Sequence, residues 1–114
     1  MNQADRKALK AWLVSSLEAL AGLEDTLADA GKTVALDQTR VGRLSRMDAM
    51  QAQQMALAAS RRRQAEMADI ERALGRITAE DYGVCTDCGE DIGMARLKIA
   101  PANPRCIDCI AQED

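Results

Sequence analysis

The chain has no histidine and no phenylalanine, and only one tryptophan (Trp12) and one tyrosine (Tyr82). Without histidine it lacks the side chain most often used for proton transfer near neutral pH, and nothing else in the pattern suggests a pocket. An enzyme is not expected. The shortage of rings rules out a large aromatic core. No run approaches the roughly 20 apolar residues needed to span a membrane. The N-terminal stretch MNQADRKALKAW has no apolar core of a secretory signal, so a reducing cytoplasm is the expected compartment. Basic excess is missing too. The formal net charge is −3, which argues against a DNA-binding module, where a basic recognition face would be expected.

The apolar residues that are present are mainly Ala, Leu, Met and Ile, spread among charged side chains over 114 residues. That suits long helices that bury a stripe, within at most one conventional domain. Leucines at 9, 13, 17, 20, 23 and 27 step by three and four, which predicts a first helix over residues 3–30. Gly31-Lys32 is a stop signal there, so residues 31–42 are expected to form a tip loop. A second helix is expected over 43–79. Met67, Ile70, Leu74 and Ile77 give it a clean stripe, whereas Leu44, Met47, Met50, Met55 and Leu57 drift around the axis. Neither helix can bury its stripe alone, so the two should fold back on each other. The expected fold is mostly α: a long antiparallel two-helix coiled-coil hairpin over 1–80, followed by a small four-cysteine knob over 81–114. Between the cysteine pairs, Ile92 to Ile99 reads as short extended turns, with Pro101 and Pro104 blocking a helix. A short terminal helix is expected from Cys106.

All four cysteines lie in that last segment. Cys85 and Cys88 form one C-x2-C pair, Cys106 and Cys109 another, with seventeen residues between them. Two such pairs suit one tetrahedral zinc held by four thiolates, a closed structural site with no open position for water or substrate. A redox dithiol would need one pair beside alternating strands and helices, and no such pattern surrounds either. A disulfide pair would need secretion. Gly89 follows the first pair and can take positive φ, letting backbone N–H groups turn toward sulfur. Arg96, Lys98 and Arg105 can offset the negative charge of a tetrathiolate.

Ile70-Glu71-x-Ala73-Leu74, Tyr82-Gly83-x-Cys85-x-x-Cys88-Gly89, Ile92-Gly93-x-x-Arg96-Leu97, then Pro101 and Cys106-Ile107-Asp108-Cys109 together resemble the DksA/TraR family. Members of that family are zinc-finger transcription factors that bind RNA polymerase rather than DNA. The resemblance runs from about residue 62 to 110 and implies a monomer that inserts its coiled coil into the polymerase secondary channel and modulates initiation. It implies Arg62 as a contact to the channel rim, with Arg61 and Arg63 completing a basic band whose alternative is a solvated helix face. At the tip, family members carry D-x-x-D-x-A, whereas this chain reads Gly42-Arg43-Leu44-Ser45-Arg46-Met47. Both carboxylates are missing, leaving Arg43, Ser45, Arg46 and neighbouring Asp48 as the tip's contact candidates. Basic residues that serve guanosine tetraphosphate in the family are replaced by Asp69, Ala100 and Ile110, so weak or no synergy with that nucleotide is expected. The remaining alternatives are a zinc-finger DNA-binding module and a paralogue that binds polymerase without regulating it.

Overall fold

The computed structural model describes residues 2–38 and 43–112, with side chains described for 2–29 and 46–112. It is mostly α, as expected: two long helices, α1 (Gln3–Gln38) and α2 (Arg43–Thr78), then two short ones, α3 (Met94–Ile99) and α4 (Ile107–Gln112). No strand occurs among the described residues, only an isolated antiparallel bridge between Val84 and Asp91.

Asn2 starts α1. Its Oδ1 accepts the Asp5 backbone N–H at 2.7 Å, which satisfies one of the orphan donors of the first turn. Asp5 adds negative charge where the helix dipole is positive. The helix does not stop at Gly31-Lys32, where the sequence placed a loop, but continues to Gln38. A glycine inside a helix costs only about 1 kcal/mol relative to alanine, and Ala35, Leu36 and Gln38 beyond it are acceptable helix formers. Residues 39–42 of the expected tip lie outside the described residues. Met94–Ile99 also differs from expectation, being helical rather than extended. Pro101 sits two residues past its end, where it closes a helix rather than preventing one.

Two compact units divide the chain: Met1–Leu17 with Ala68–Asp114, and Glu18–Met67. The first contains every apolar side chain that is buried among the described residues: Leu9, Leu13, Ile70, Ala73, Ile77, Tyr82, Cys85, Leu97, Pro101 and Cys106. Leu9 and Leu13 are one helical turn apart on α1, and Ile70, Ala73 and Ile77 occupy one face of α2. Ala73 is fully buried, and its small side chain lets apolar neighbours approach closely.

The second unit has a different character. Its leucines and methionines remain largely exposed: Leu23, Leu27, Met47, Met50, Met55 and Leu57 all keep more than two-fifths of their surface in solvent. The leucine stripe of α1 is therefore buried only at its beginning. Opposite its later part, α2 offers Ser60, Arg63 and Gln64, and polar contacts replace apolar ones: Ser60 Oγ and Arg63 Nε both donate to Glu24.

α2 ends in a Schellman-type turn. The N–H of Asp81 reaches the carbonyl of Arg76 at 2.9 Å and that of Glu80 reaches Ile77 at 3.3 Å. Glu80 occupies the left-handed position usually given to glycine, with φ 65°. A side chain there costs roughly 1–2 kcal/mol, partly offset by the lower entropy of the unfolded chain. Glu80→Gly is accordingly expected to stabilise the fold by up to about 1 kcal/mol, measured as a rise in the thermal or urea midpoint of the zinc-loaded protein.

Candidate metal centre

The four cysteines are carried by two short turns. In the first, the chain leaves α2 through Tyr82 and Gly83 and doubles back on itself. The Cys85 N–H donates to the Glu90 carbonyl, the Ile92 N–H to that of Gly83, and the Gly89 N–H to that of Cys85. Gly89 has φ 78°, and a Cβ there would meet nothing within 4 Å. Its requirement is conformational rather than steric: positive φ lets the turn close right after Cys88. The second pair lies at the start of α4, where the Ile110 N–H reaches the Cys106 carbonyl at 3.1 Å.

Backbone and side-chain contacts tie the two turns together. Thr86 N–H donates to the Pro104 carbonyl at 2.9 Å. Arg105 stands 3.7 Å from the Asp87 carboxylate, so of the three cations expected to offset the thiolates, this one pairs with an acid of the first turn. Asn103 holds the approach to Cys106 by donating Nδ2 to the Arg105 carbonyl and accepting the Arg105 N–H. Below them Tyr82, almost wholly buried, donates its hydroxyl to the Pro101 carbonyl at 2.6 Å.

The result is a cluster of four sulfurs. The Sγ atoms of Cys85, Cys88, Cys106 and Cys109 all lie within 4.8 Å of one another. Cys85 and Cys109 are 3.6 Å apart, as are Cys88 and Cys106. A disulfide would bring two sulfurs to about 2.05 Å. Tetrahedral zinc with Zn–S near 2.3 Å separates its ligands by about 3.8 Å. The donor set therefore fits zinc, and it fits nothing that requires an open position.

Electrostatics point the same way. Burial pushes the Cys85 thiol up, but backbone hydrogen bonds from Cys106, Cys88 and Asp87 outweigh it and bring the group to about 6. Cys109 is pushed far in the other direction by the side chains of Cys106, Cys85 and Cys88. Cys88 is raised as well: hydrogen bonding from the Glu90 backbone favours its thiolate, but burial and the neighbouring Cys106 and Cys85 side chains prevail. Four thiolates this close repel one another, and a dication at their centre removes the conflict.

The site is thus a C4 zinc finger, a structural one-zinc module. Residues 80–111 match the prokaryotic dksA/traR C4-type zinc finger, and the resemblance to the DksA/TraR family seen in the sequence is borne out. A protein of Haemophilus influenzae named RNA polymerase-binding transcription factor DksA is 44% identical over 43 residues, which are 38% of this chain and 30% of that protein. Its namesake in Escherichia coli K12 is 45% identical over 40 residues, covering 35% of this chain and 26% of the relative. The chain thus spans under a third of the length of these curated relatives. Among solved structures, transcription factor DksA2 from Pseudomonas aeruginosa shares the fold, with a TM-score of 0.80 over 99% of this chain and 85% of the other at 23% identity.

The residues expected to touch a polymerase, Arg43, Ser45, Arg46, Asp48, Arg61, Arg62 and Arg63, all fall in the unit Glu18–Met67. Arg43 and Ser45 lie in the first turn of α2, with side chains outside those described. Arg46, Asp48, Arg61 and Arg62 are exposed. Arg63 is turned toward α1 and held by Glu24. Sequence reading missed Glu24 and Ser60, because partners 36 residues apart leave no local pattern.

Two outcomes are expected. The purified protein should carry one zinc per chain, and a strong chelator or acidification should release it as the thiolates take up protons, exposing four titratable thiols and melting residues 80–112. Elemental analysis with thiol counting checks this. Tyr82→Phe should cost about 1–3 kcal/mol by stranding the buried Pro101 carbonyl. Burial raises the Tyr82 pKa although Arg76 opposes the shift, so its stabilising share is intact below the ordinary value of 10 and is lost as pH rises through the folded value. Denaturation of both proteins across that range should converge at high pH.

Proposed function

We propose that this chain regulates transcription by binding RNA polymerase, with the helix pair of residues 1–80 entering the secondary channel and the finger of residues 81–114 remaining at its rim. The observation that carries the reading is the match of residues 80–111 to a finger whose curated relatives are named RNA polymerase-binding. The fold shared with DksA2 over nearly the whole chain supports it, since both long helices are part of that likeness. The site asks for no catalytic role: the four cysteines suit a metal with no open position, and no histidine is present. No described helix is long and apolar enough to cross a membrane. In this reading the protein acts as a cytoplasmic monomer and reads no DNA sequence.

A second reading is favoured by one specific observation. The positions at which the family carries tip carboxylates hold Gly42 and Ser45 here, with Arg43 and Arg46 beside them. A cationic tip cannot offer acidic groups to the catalytic region, so the chain would occupy the channel while exerting a weaker or inverted effect on initiation.

Pull-down with core RNA polymerase, followed by transcription in vitro from a stringently controlled ribosomal promoter, separates these readings. Capture with altered initiation supports regulation; capture without it supports the silent paralogue. No capture removes both, and a gel shift at physiological salt then tests the DNA-binding alternative. Arg61→Glu with Arg62→Glu should weaken capture at least severalfold. Guanosine tetraphosphate should add little, since Asp69 pairs with Arg72 and Ala100 and Ile110 offer no charge. A strong nucleotide effect through this chain would contradict that assignment.

A further inference from the structure

In the unit Glu18–Met67 no described side chain is buried, so apolar packing gives the two helices little to choose one register over another. One polar cluster stands out against that background. Ser60 Oγ donates to Glu24 Oε2 at 2.7 Å, Arg63 Nε donates to Glu24 Oε1 at 2.5 Å, and Gln64 Nε2 donates to Ser60 Oγ at 3.4 Å. Both carboxylate oxygens are used, each by a donor from the opposite helix. The side chains of Arg63 and Glu24 keep only 18% and 20% of their surface exposed. Hydrogen bonds from Ser60 and Arg63 hold the Glu24 carboxyl below its ordinary range, which marks an ionised acceptor.

The spacing is telling. Residues 60, 63 and 64 are i, i+3 and i+4 on α2 and share one face, while Arg61 and Arg62 point elsewhere and are exposed. A shift of α2 by one residue against α1 would break both bonds to Glu24 together, and a single polar contact is an established means of fixing helix register.

We infer that Glu24 is a positioning residue: it fixes the register of α1 against α2 in this unit and takes Arg63 out of the basic band, leaving Arg61 and Arg62 as the pair that faces a partner. The register part stands on geometry alone, and only the consequence for the band rests on the polymerase reading.

Hydrogen exchange by mass spectrometry on the full zinc-loaded chain tests it. Glu24→Gln and Arg63→Gln should each speed exchange over residues 18–29 and 55–67 severalfold, with finger amides unchanged. The double variant should exchange no faster than Glu24→Gln alone, because that substitution already removes the charged partner of Arg63. Exchanging the charges, Glu24→Arg with Arg63→Glu, should return protection, which loss of helix propensity cannot do. Unchanged exchange in Glu24→Gln, additive effects in the double variant, or no recovery in the swap overturns the assignment. In parallel, Arg61→Gln with Arg62→Gln should lower capture of core polymerase without altering exchange, whereas Arg63→Gln should lower capture only as far as Glu24→Gln does. If the wild-type chain captures no polymerase, the functional reading fails while the exchange data still decide the register.

Discussion

Four sulfur atoms brought within 4.8 Å of one another are the constraint on which the C-terminal third depends. Negative charges at that separation repel strongly unless a cation sits among them. The apolar content around them is small: of the finger's own side chains, Tyr82, Leu97, Pro101 and two of the cysteines are buried. So few groups cannot offset the conformational entropy of some thirty residues, which is why small domains of this kind lean on a metal. The backbone bonds from Thr86 to Pro104 and from Cys85 to Glu90 shape the turns, but it is the metal that makes their closure favourable.

The two compact units are held by opposite kinds of interaction. Around the finger, Leu9 and Leu13 meet the apolar face of α2, and water is excluded. Among the described residues between 18 and 67, a carboxylate, a hydroxyl and a guanidinium link the two helices. Apolar packing is strong but tolerant of small slips, whereas a carboxylate with both oxygens engaged is weak but intolerant of them.

Much of the fold could be read from the sequence, and the reasons are local ones. Leu9 and Leu13, and Met67 through Ile77, follow the helical period closely enough to mark which faces pack. The cysteine spacing specified zinc because few other chemistries use two such pairs. What stayed hidden depends on tertiary context. The end of α1 lies beyond Gly31 because a glycine inside a helix costs little when the residues beyond it favour helix. The helix Met94–Ile99 is hidden because Pro101 reads as a block along the whole segment, although a proline constrains mainly the residue before it and the turn that follows. Glu80 in a left-handed position and Glu24 between Ser60 and Arg63 have no sequence signature at all, since each is defined by partners brought near only by folding.

The scarcity of buried side chains among the described residues between 18 and 67 bears on how such a chain can diversify. Where a described side chain faces water, most replacements leave folding intact, since surface changes seldom move stability by more than about 0.5 kcal/mol. That stretch is free to drift and acquire new binding preferences, while the four cysteines and the buried Tyr82, Leu97 and Pro101 hold the finger still. Related chains should therefore diverge fastest along these helices, and their differences in what they recognise should be written there rather than in the finger.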